Sequence, residues 1–377
     1  MKKIVVVTGT RADYGKLKPI IKNIDNNPNF ECHVFVCGMH LLEKYGSTYL
    51  EIINDNYKNV YVAYGLPVDS RMDINCGNTI NHLAGYVAHL QPDLIIVHGD
   101  RVDALCGAIV GALNNIYVAH IEGGEVSGTI DESIRHSISK LSHYHFVANQ
   151  IAKDRLIQMG EATERIYIIG SPDIDIMLSG NLVPIDIVKK HYEIPFQTYG
   201  LVLYHSITTD VETLDVRVNA FVDSLIASER DYVVIYPNND TGTEIIISAY
   251  HKFKNNPHFR IYPSIRFEYF LTLLKHADFI IGNSSAGIRE ACVYGVPAID
   301  VGDRQFSRYD IQKSKNIQHV TENTSEIANA LKNINDFRRP SSEYGAGNSA
   351  ELFCEIMQNP DFWRADVQKH FIDRLIN

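Results

Sequence analysis

No run of 18 apolar residues occurs anywhere in the chain, so nothing in it reads as a membrane span. No CxxC pair occurs either. The six cysteines, Cys32, Cys37, Cys76, Cys106, Cys292 and Cys354, are scattered, several of them in apolar runs. That pattern excludes a disulfide framework and fits small core residues in a reducing compartment. No His/Cys/Asp grouping has metal-ligand spacing, so no metal and no cofactor is expected. Neither GxGxxG nor GK[ST] appears, which removes the dinucleotide fingerprint and the Walker loop. Low-complexity tracts and internal repeats are absent. Positive charge is in deficit, with 35 Lys and Arg against 45 Asp and Glu for a net −10. This argues against nucleic acid or a membrane surface as partner, and an anionic ligand would need a local basic pocket. The opening MKKIVVVTGT is too short for a secretory apolar region and leads into a Gly turn. It reads as a buried strand, and a cytoplasmic location is expected.

What is present is a regular alternation of short apolar runs and helical patterns. With 377 residues, 45% of them hydrophobic, the chain can build two α/β domains. Strands are expected at Ile4 to Val7, His33 to Val36, Val60 to Ala63, Leu94 to Val97, Ile116 to His120, His143 to Ala148 and Ile166 to Ile169. This βα alternation implies a doubly wound, Rossmann-like first domain over residues 1–171. The first strand ends in Thr8-Gly9-Thr10-Arg11, and the pattern predicts a helix from about Leu17 to Ile24 with Pro19 in its first turn. The turn between them is a candidate phosphate approach, with Arg11 and Lys16 supplying charge. A plain βα turn with solvated basic residues remains the alternative.

The stretch from Val97 to His145 carries the densest chemistry. One strand ends in His98-Gly99-Asp100-Arg101 and the next in Glu122-Gly123-Gly124-Glu125. Strand ends of a parallel sheet line its ligand crevice, so Asp100 and Glu122 should share one edge, and the following loop can bring Asp131 to it. Three carboxylates, Arg101 and several histidines in one crevice suggest proton-transfer chemistry. Either acid alone would read equally as turn chemistry.

Prolines 172, 184 and 195 mark residues 172–198 as a passage between domains, with a short helix at Pro184 to His191. A second α/β alternation fills 199–360. Its expected strands are Leu201 to Tyr204, Tyr232 to Tyr236, Phe279 to Ile281 and Ala298 to Val301. They end in His205, in Asn238-Asn239-Asp240, in Gly282-Asn283-Ser284-Ser285 and in Gly302-Asp303-Arg304. Ser284 and Ser285 open a helix and could cradle a phosphate, and Glu290 one turn on could hold ribose hydroxyls. A Ser cap without ligand is the plain alternative. Trp363 to Ile376 has helical spacing of apolar residues and predicts an amphipathic C-terminal helix at 361–377. With polar strand ends in both halves, the expected active site is the cleft between domains.

Thr8-Gly9-Thr10-Arg11-Ala12-Asp13, His98-Gly99-Asp100-Arg101, His120-Ile121-Glu122-Gly123-Gly124, the segment Ser127 to His136 and Gly282 to Glu290 together resemble UDP-N-acetylglucosamine 2-epimerases. The words RADYGKL, HGDR and SGTIDESIRHSISKLSHYH are similar to the hydrolysing branch of bacterial sialic and legionaminic acid synthesis. The resemblance implies two Rossmann-like domains with a deep cleft, like the B-type glycosyltransferase fold, and a C-terminal helix packed back on the first domain. It implies that Arg11, Lys16, Arg101, Asn238, Ser284, Ser285, Glu290 and Arg304 bind nucleotide and diphosphate. Asp100, Glu122, Asp131 and His205 would surround the sugar. The implied substrate is a UDP-sugar, or a GDP-sugar, and the implied assembly is a homodimer or homotetramer. The non-hydrolysing branch and a glycosyltransferase on the same fold are the alternatives.

Overall fold

The computed structural model describes residues 1–65, 71–127, 130–207, 211–238, 240–305, 309, 314–370 and 372–373. The chain divides into two compact units. The first holds Met1–Glu125, Asp131–Ser179 and the chain from Glu343 onward; the second holds Gly180–Ser342 with a short excursion at Val126–Ile130.

In the first unit the strands are β1 (Lys2–Thr8), β2 (Phe30–Val36), β3 (Val60–Val62), β4 (Leu94–His98), β5 (Tyr117–Ile121), β6 (Tyr144–Val147) and β7 (Ile166–Ile168). All pair in parallel, in the order β3-β2-β1-β4-β5-β6-β7. Unbroken β-branched runs suit strands covered on both faces. Ile4 and Val6 face one core, with Leu17, Ile20, Phe353 and Met357. Val5 and Val7 face the other, with Leu83, Val87, Ala104 and Ala108. Each fully buried aliphatic side chain contributes about 1.5–3 kcal/mol, so the two layers fix the sheet and hence the level of its strand ends.

The helix Val102–Leu113 lies unusually close to that sheet. A Cβ on Gly107 would stand 2.6 Å from Val97 Cγ1, and one on Gly111 2.4 Å from Val118 Cγ2. The helix therefore seats directly on β4 and β5, and its first turn is held at the end of β4.

The second unit carries β8 (Gly200–Leu203), β9 (Tyr232–Ile235), β10 (Phe259–Tyr262), β11 (Phe279–Gly282), β12 (Ala298–Val301) and β13 (Ile317–Val320). They form a parallel sheet in the order β10-β9-β8-β11-β12-β13. Strand order reverses between β1 and β4 in one sheet and between β8 and β11 in the other, the switch points where open α/β sheets bind ligands.

Three expectations are corrected. The first helix begins at Arg11, not near Leu17, because Thr10 and Asp13 form a capping box; Pro19 sits inside the helix. The passage expected at 172–198 is divided: Pro172–Leu178 is a helix of the first unit and Ile185–His191 a helix of the second. The return to the first unit begins at Glu343, and its helix is Ser349–Gln358, packed on the helix Arg11–Asp25.

The helix expected over Trp363 to Ile376 does not form at 365–370, which follows a 3-10 turn at Pro360–Arg364. Side chains of the first unit take the carbonyls a helix would need. Tyr117 Oη donates to Ala365 O at 2.6 Å, His143 Nε2 donates to Val367 O at 2.8 Å, and Tyr144 Oη donates to Phe362 O. The end of the expected helix, residues 374–377, lies outside the described residues.

Candidate active site

Parallel register sets the first group of site residues. His98, the last residue of β4, pairs with Ile121, the last of β5, so Asp100 and Glu122 follow neighbouring strands at the same edge. Asp131 lies in the first turn of the helix Ile130–Leu141 and is buried. Arg135, four residues on and so on the same helix face, pairs with Asp100 and donates to Glu125 O at 3.2 Å. Asp100 and Glu122 thus share one edge, and Arg135 ties the helix that carries Asp131 to it.

Each is held differently. Asp100 is bonded to a guanidinium that is 2% exposed, so its anionic form is favoured. Glu122 accepts Ser171 Oγ at 2.7 Å on one oxygen and lies 3.1 Å from His98 Nε2 on the other. Its backbone is left-handed, at φ +63, a conformation that costs a non-glycine residue about 1–2 kcal/mol. The strand-like bond from Glu122 N to Phe146 O, 2.9 Å, helps hold it there. Asp131 sits in the first turn of the helix Ile130–Leu141.

Sequence reasoning treated the histidines as one group, and the structure separates them. Burial lowers His120 to a pKa of about 3. Its Nε2 donates to Gly99 O at 2.8 Å and its Nδ1 accepts Ser139 Oγ at 3.0 Å, so it ties the Asp100 turn to β5. His143 and His145 are also lowered by burial and serve the C-terminal segment and Glu161. His98 alone of these faces a candidate carboxylate. Ser171, Arg135 and His98 were missed as site residues. Only the HGDR and SIRH words carried a trace of the last two; Ser171 lies 49 residues from its partner.

At the first turn, where a phosphate approach is expected, the backbone amides already have partners. The N–H groups of Gly9 and Thr10 both donate to Asp13, at 3.0 Å each, and Thr8 Oγ1 donates to it at 2.7 Å. His40 Nε2 supports Thr8 at 3.0 Å, and burial keeps His40 neutral, with a pKa of about 4. Those amides are committed within the protein. Lys16 pairs at 3.1 Å with Asp173, which is 1% exposed, and Arg11 pairs with Glu51 at 2.7 Å. Arg101 is the N-cap residue of Val102–Leu113, beside Asp103.

The second unit gathers the other group. Gly282, at φ +137, brings β11 so near β8 that a Cβ would stand 2.0 Å from Leu203 O. This close approach seats Asn283, another residue sequence reasoning missed. Asn283 Oδ1 accepts His205 N at 2.6 Å, and its Nδ2 donates to His205 O at 2.9 Å. Arg304 and Gln305 donate to Asn283 O at 3.1 and 3.0 Å. Asn238 N donates to His205 Nδ1 at 3.2 Å, which leaves Nε2 as the proton-bearing nitrogen of the neutral ring. Ser284 caps the short helix Ser285–Ile288 through Ala286 N at 3.3 Å. Glu290 is buried at the start of Glu290–Tyr294. A small cavity of about 10 Å³ adjoins Ser284, lined also by Leu203, Gly282, Gly287 and Asp300. Asn238, His205, Ser284, Ser285, Glu290 and Arg304 therefore cluster at the strand ends of one sheet.

Carboxylates at a switch point in one unit, and a Ser-capped turn with a buried arginine in the other, match a known family. The family described as UDP-N-acetylglucosamine 2-epimerase matches residues 22–358. A UDP-N-acetylglucosamine 2-epimerase of Neisseria meningitidis serogroup B is 46% identical over 378 residues, covering 99% of each chain. The chain belongs to the UDP-N-acetylglucosamine 2-epimerase family. Another relative, the UDP-N,N'-diacetylbacillosamine 2-epimerase (hydrolyzing) of Legionella pneumophila, is 32% identical, covering 95% of this chain and 96% of its own. In fold, the chain is similar to the Methanocaldococcus jannaschii UDP-GlcNAc 2-epimerase solved with UDP-GlcNAc and UDP. That structure has a TM-score of 0.81 and 23% identity, with 95% of this chain and 99% of the other covered. Among the described residues no group of three or more His, Cys, Asp or Glu could hold a metal ion, and no helix is long and apolar enough to cross a membrane.

Proposed function

We propose that this epimerase-family chain is of the hydrolysing kind. It would convert UDP-N-acetylglucosamine, or a related 2-acetamido nucleotide sugar, to UDP and a free N-acetylmannosamine-type sugar for sialic or legionaminic acid synthesis. The observation that carries the chemistry is the edge holding Asp100, bonded to Arg135, and Glu122, bonded to Ser171, with Asp131 in the first turn of the helix that carries Arg135. The Legionella relative, hydrolysing by its name, supports the branch.

A base takes the C2 proton while the C1–O bond breaks, and its electron pair leaves on the diphosphate. The product is 2-acetamidoglucal. Water then adds: oxygen to C1, and a proton to C2 from the opposite face. Asp100, kept anionic by Arg135, serves as the fixed negative group near the developing charge. Glu122, which accepts Ser171 Oγ and has His98 Nε2 at 3.1 Å, is the proposed first acid–base group. Asp131 is the candidate for the second acid–base group. Ser284, Ser285, Glu290, Arg304, Asn238 and His205 hold the nucleotide and diphosphate, with Arg101 and Arg11 adding charge. Lys16 stays in the proposed set on the same footing as Arg11, each being paired with a carboxylate of the first unit.

A second reading has its own support, because the Neisseria relative is named as a UDP-N-acetylglucosamine 2-epimerase without the word hydrolyzing. A non-hydrolysing enzyme would re-add the diphosphate instead of water. Reaction of UDP-N-acetylglucosamine in D₂O, followed by NMR, separates the two. Free UDP with N-acetylmannosamine deuterated at C2 is expected. UDP-N-acetylmannosamine as the product overturns the hydrolysing reading, and transfer to an acceptor without C2 exchange overturns epimerisation itself.

A further inference from the structure

Two thiols outside the candidate site stand in contact. Cys76, on the helix Met72–Leu90, and Cys106, on Val102–Leu113, have their sulfurs 3.6 Å apart, and Cys106 Sγ also lies 3.4 Å from Cys76 O. The two helices pack along one another in the first unit. Cys106 is fully buried, whereas Cys76 is partly exposed, so a small reagent reaches only one sulfur. The other four cysteines are buried. The arrangement is that of an attacking thiol at the surface and a resolving thiol behind it. We propose that Cys76 and Cys106 are a reversible disulfide site, oxidised by low-molecular-weight disulfides, whose closure displaces the turn that carries Asp100.

The exchange balances. The Cys76 thiolate attacks one sulfur of the small disulfide, forming a mixed disulfide and expelling one small thiolate. Cys106 gives its proton to that thiolate and attacks Cys76 Sγ, expelling the second small thiol. Two protein thiols are oxidised and one small disulfide is reduced to two thiols. The hydrogen bond from Cys106 favours the Cys76 thiolate, whose pKa falls to about 7, near the optimum for attack.

Bond formation shortens the sulfur separation from 3.6 Å to about 2.05 Å, a change shared between rotation of the two side chains and an adjustment of the helices that carry them. Val102–Leu113 has little slack, since Gly107 already rests on Val97. Asp103, one turn before Cys106, fills the space beside Gly9 and Gly38, so the movement reaches the turn at 99–103.

The test treats the full-length protein with glutathione disulfide, blocks remaining thiols, and maps peptides by mass spectrometry. A Cys76–Cys106 cross-link that dithiothreitol reverses is expected, absent in Cys76→Ser and in Cys106→Ser. Amide hydrogen exchange should rise at residues 99–104 in the oxidised protein alone. Glutathione that stays on Cys76, or no reaction, overturns the site; a cross-link with unchanged exchange overturns the displacement. Release of UDP, followed in parallel, should fall several-fold on oxidation and leave Cys76→Ser unaffected. This arm alone rests on the epimerase reading, so an inactive reduced protein refutes that reading while mass and exchange still decide the thiol pair.

Discussion

Asp100→Asn has two consequences that a simple activity assay would merge. It removes a candidate catalytic carboxylate, and it takes the Asp100 charge away from Arg135, whose side chain is 2% exposed. Breaking a buried ion pair from one side costs about 3–5 kcal/mol. The Asp100 side chain is 21% exposed, so solvent offsets part of this and about 2–3 kcal/mol is expected. At about 2–4 °C per kcal/mol for domains of about 150–250 residues, the thermal midpoint should fall by about 5–10 °C. Adding Arg135→Met removes the stranded charge, and the double variant should recover about 1–3 kcal/mol. Activity should not recover, because a lost acid–base or charge-stabilising group costs about 10²–10⁴-fold. Thermal unfolding of wild type, both single variants and the double, with UDP release measured on each, separates the effects. A midpoint for Asp100→Asn within a degree of wild type refutes the pairing argument. Recovery of turnover in the double variant reduces Asp100 to a support for the turn.

Ser171→Ala should lower turnover about tenfold or more by removing the donor to Glu122, a charge-assisted bond of about 1.5–3 kcal/mol, and the thermal midpoint should fall by about 3–12 °C; an unaltered rate removes Ser171 from the site. Gly107→Ala should destabilise the first unit by about 1–2 kcal/mol, the clash with Val97 outweighing a helix-propensity gain of about 1 kcal/mol; a raised midpoint would mean the helix can lift off β4. Glu161, bonded to His145, Lys140 and Lys369, has its pKa depressed to about 2. Its contribution to stability is present above the unfolded value near 4.5 and is lost as pH falls from there toward 2, so midpoints should drop in that window and drop less in Lys369→Met. EDTA should leave UDP release intact, since cationic side chains are assigned to the diphosphate; loss restored by one specific metal would refute this.

The strand ends were legible because apolar runs at β1, β4, β5, β8, β11 and β12 stop at a glycine or a polar residue. Two strands of the second sheet were not, since β10 reads FRIY and β13 reads IQHV, edge sequences without a continuous apolar run. The first helix was placed late because Thr10 and Asp13 looked like turn residues, and only the reciprocal bonds reveal a cap. Asp100 and Glu122 could be assigned to one edge from the chain alone. Their partners could not: Arg135, His98 and Ser171 act through contacts that β–α–β topology creates across tens of residues, as Asn283 does on His205 in the second unit. The C-terminal segment failed for a related reason. Its apolar spacing is real, yet Tyr117, His143 and Lys369 decide its backbone, and no local pattern encodes them.

The return of the chain to the first unit at Glu343 bears on its synthesis. Phe353, Met357 and Phe362 complete one core of the first sheet, but they leave the ribosome long after β1 to β7 have emerged. Until then one face of that sheet is exposed, with Tyr144 and Phe146 among the residues left uncovered. The second unit is continuous apart from its short excursion, so it has all of its strands earlier. The half translated later is therefore the half that finishes first, and the amino-terminal half waits as an aggregation-prone intermediate for its own last helix.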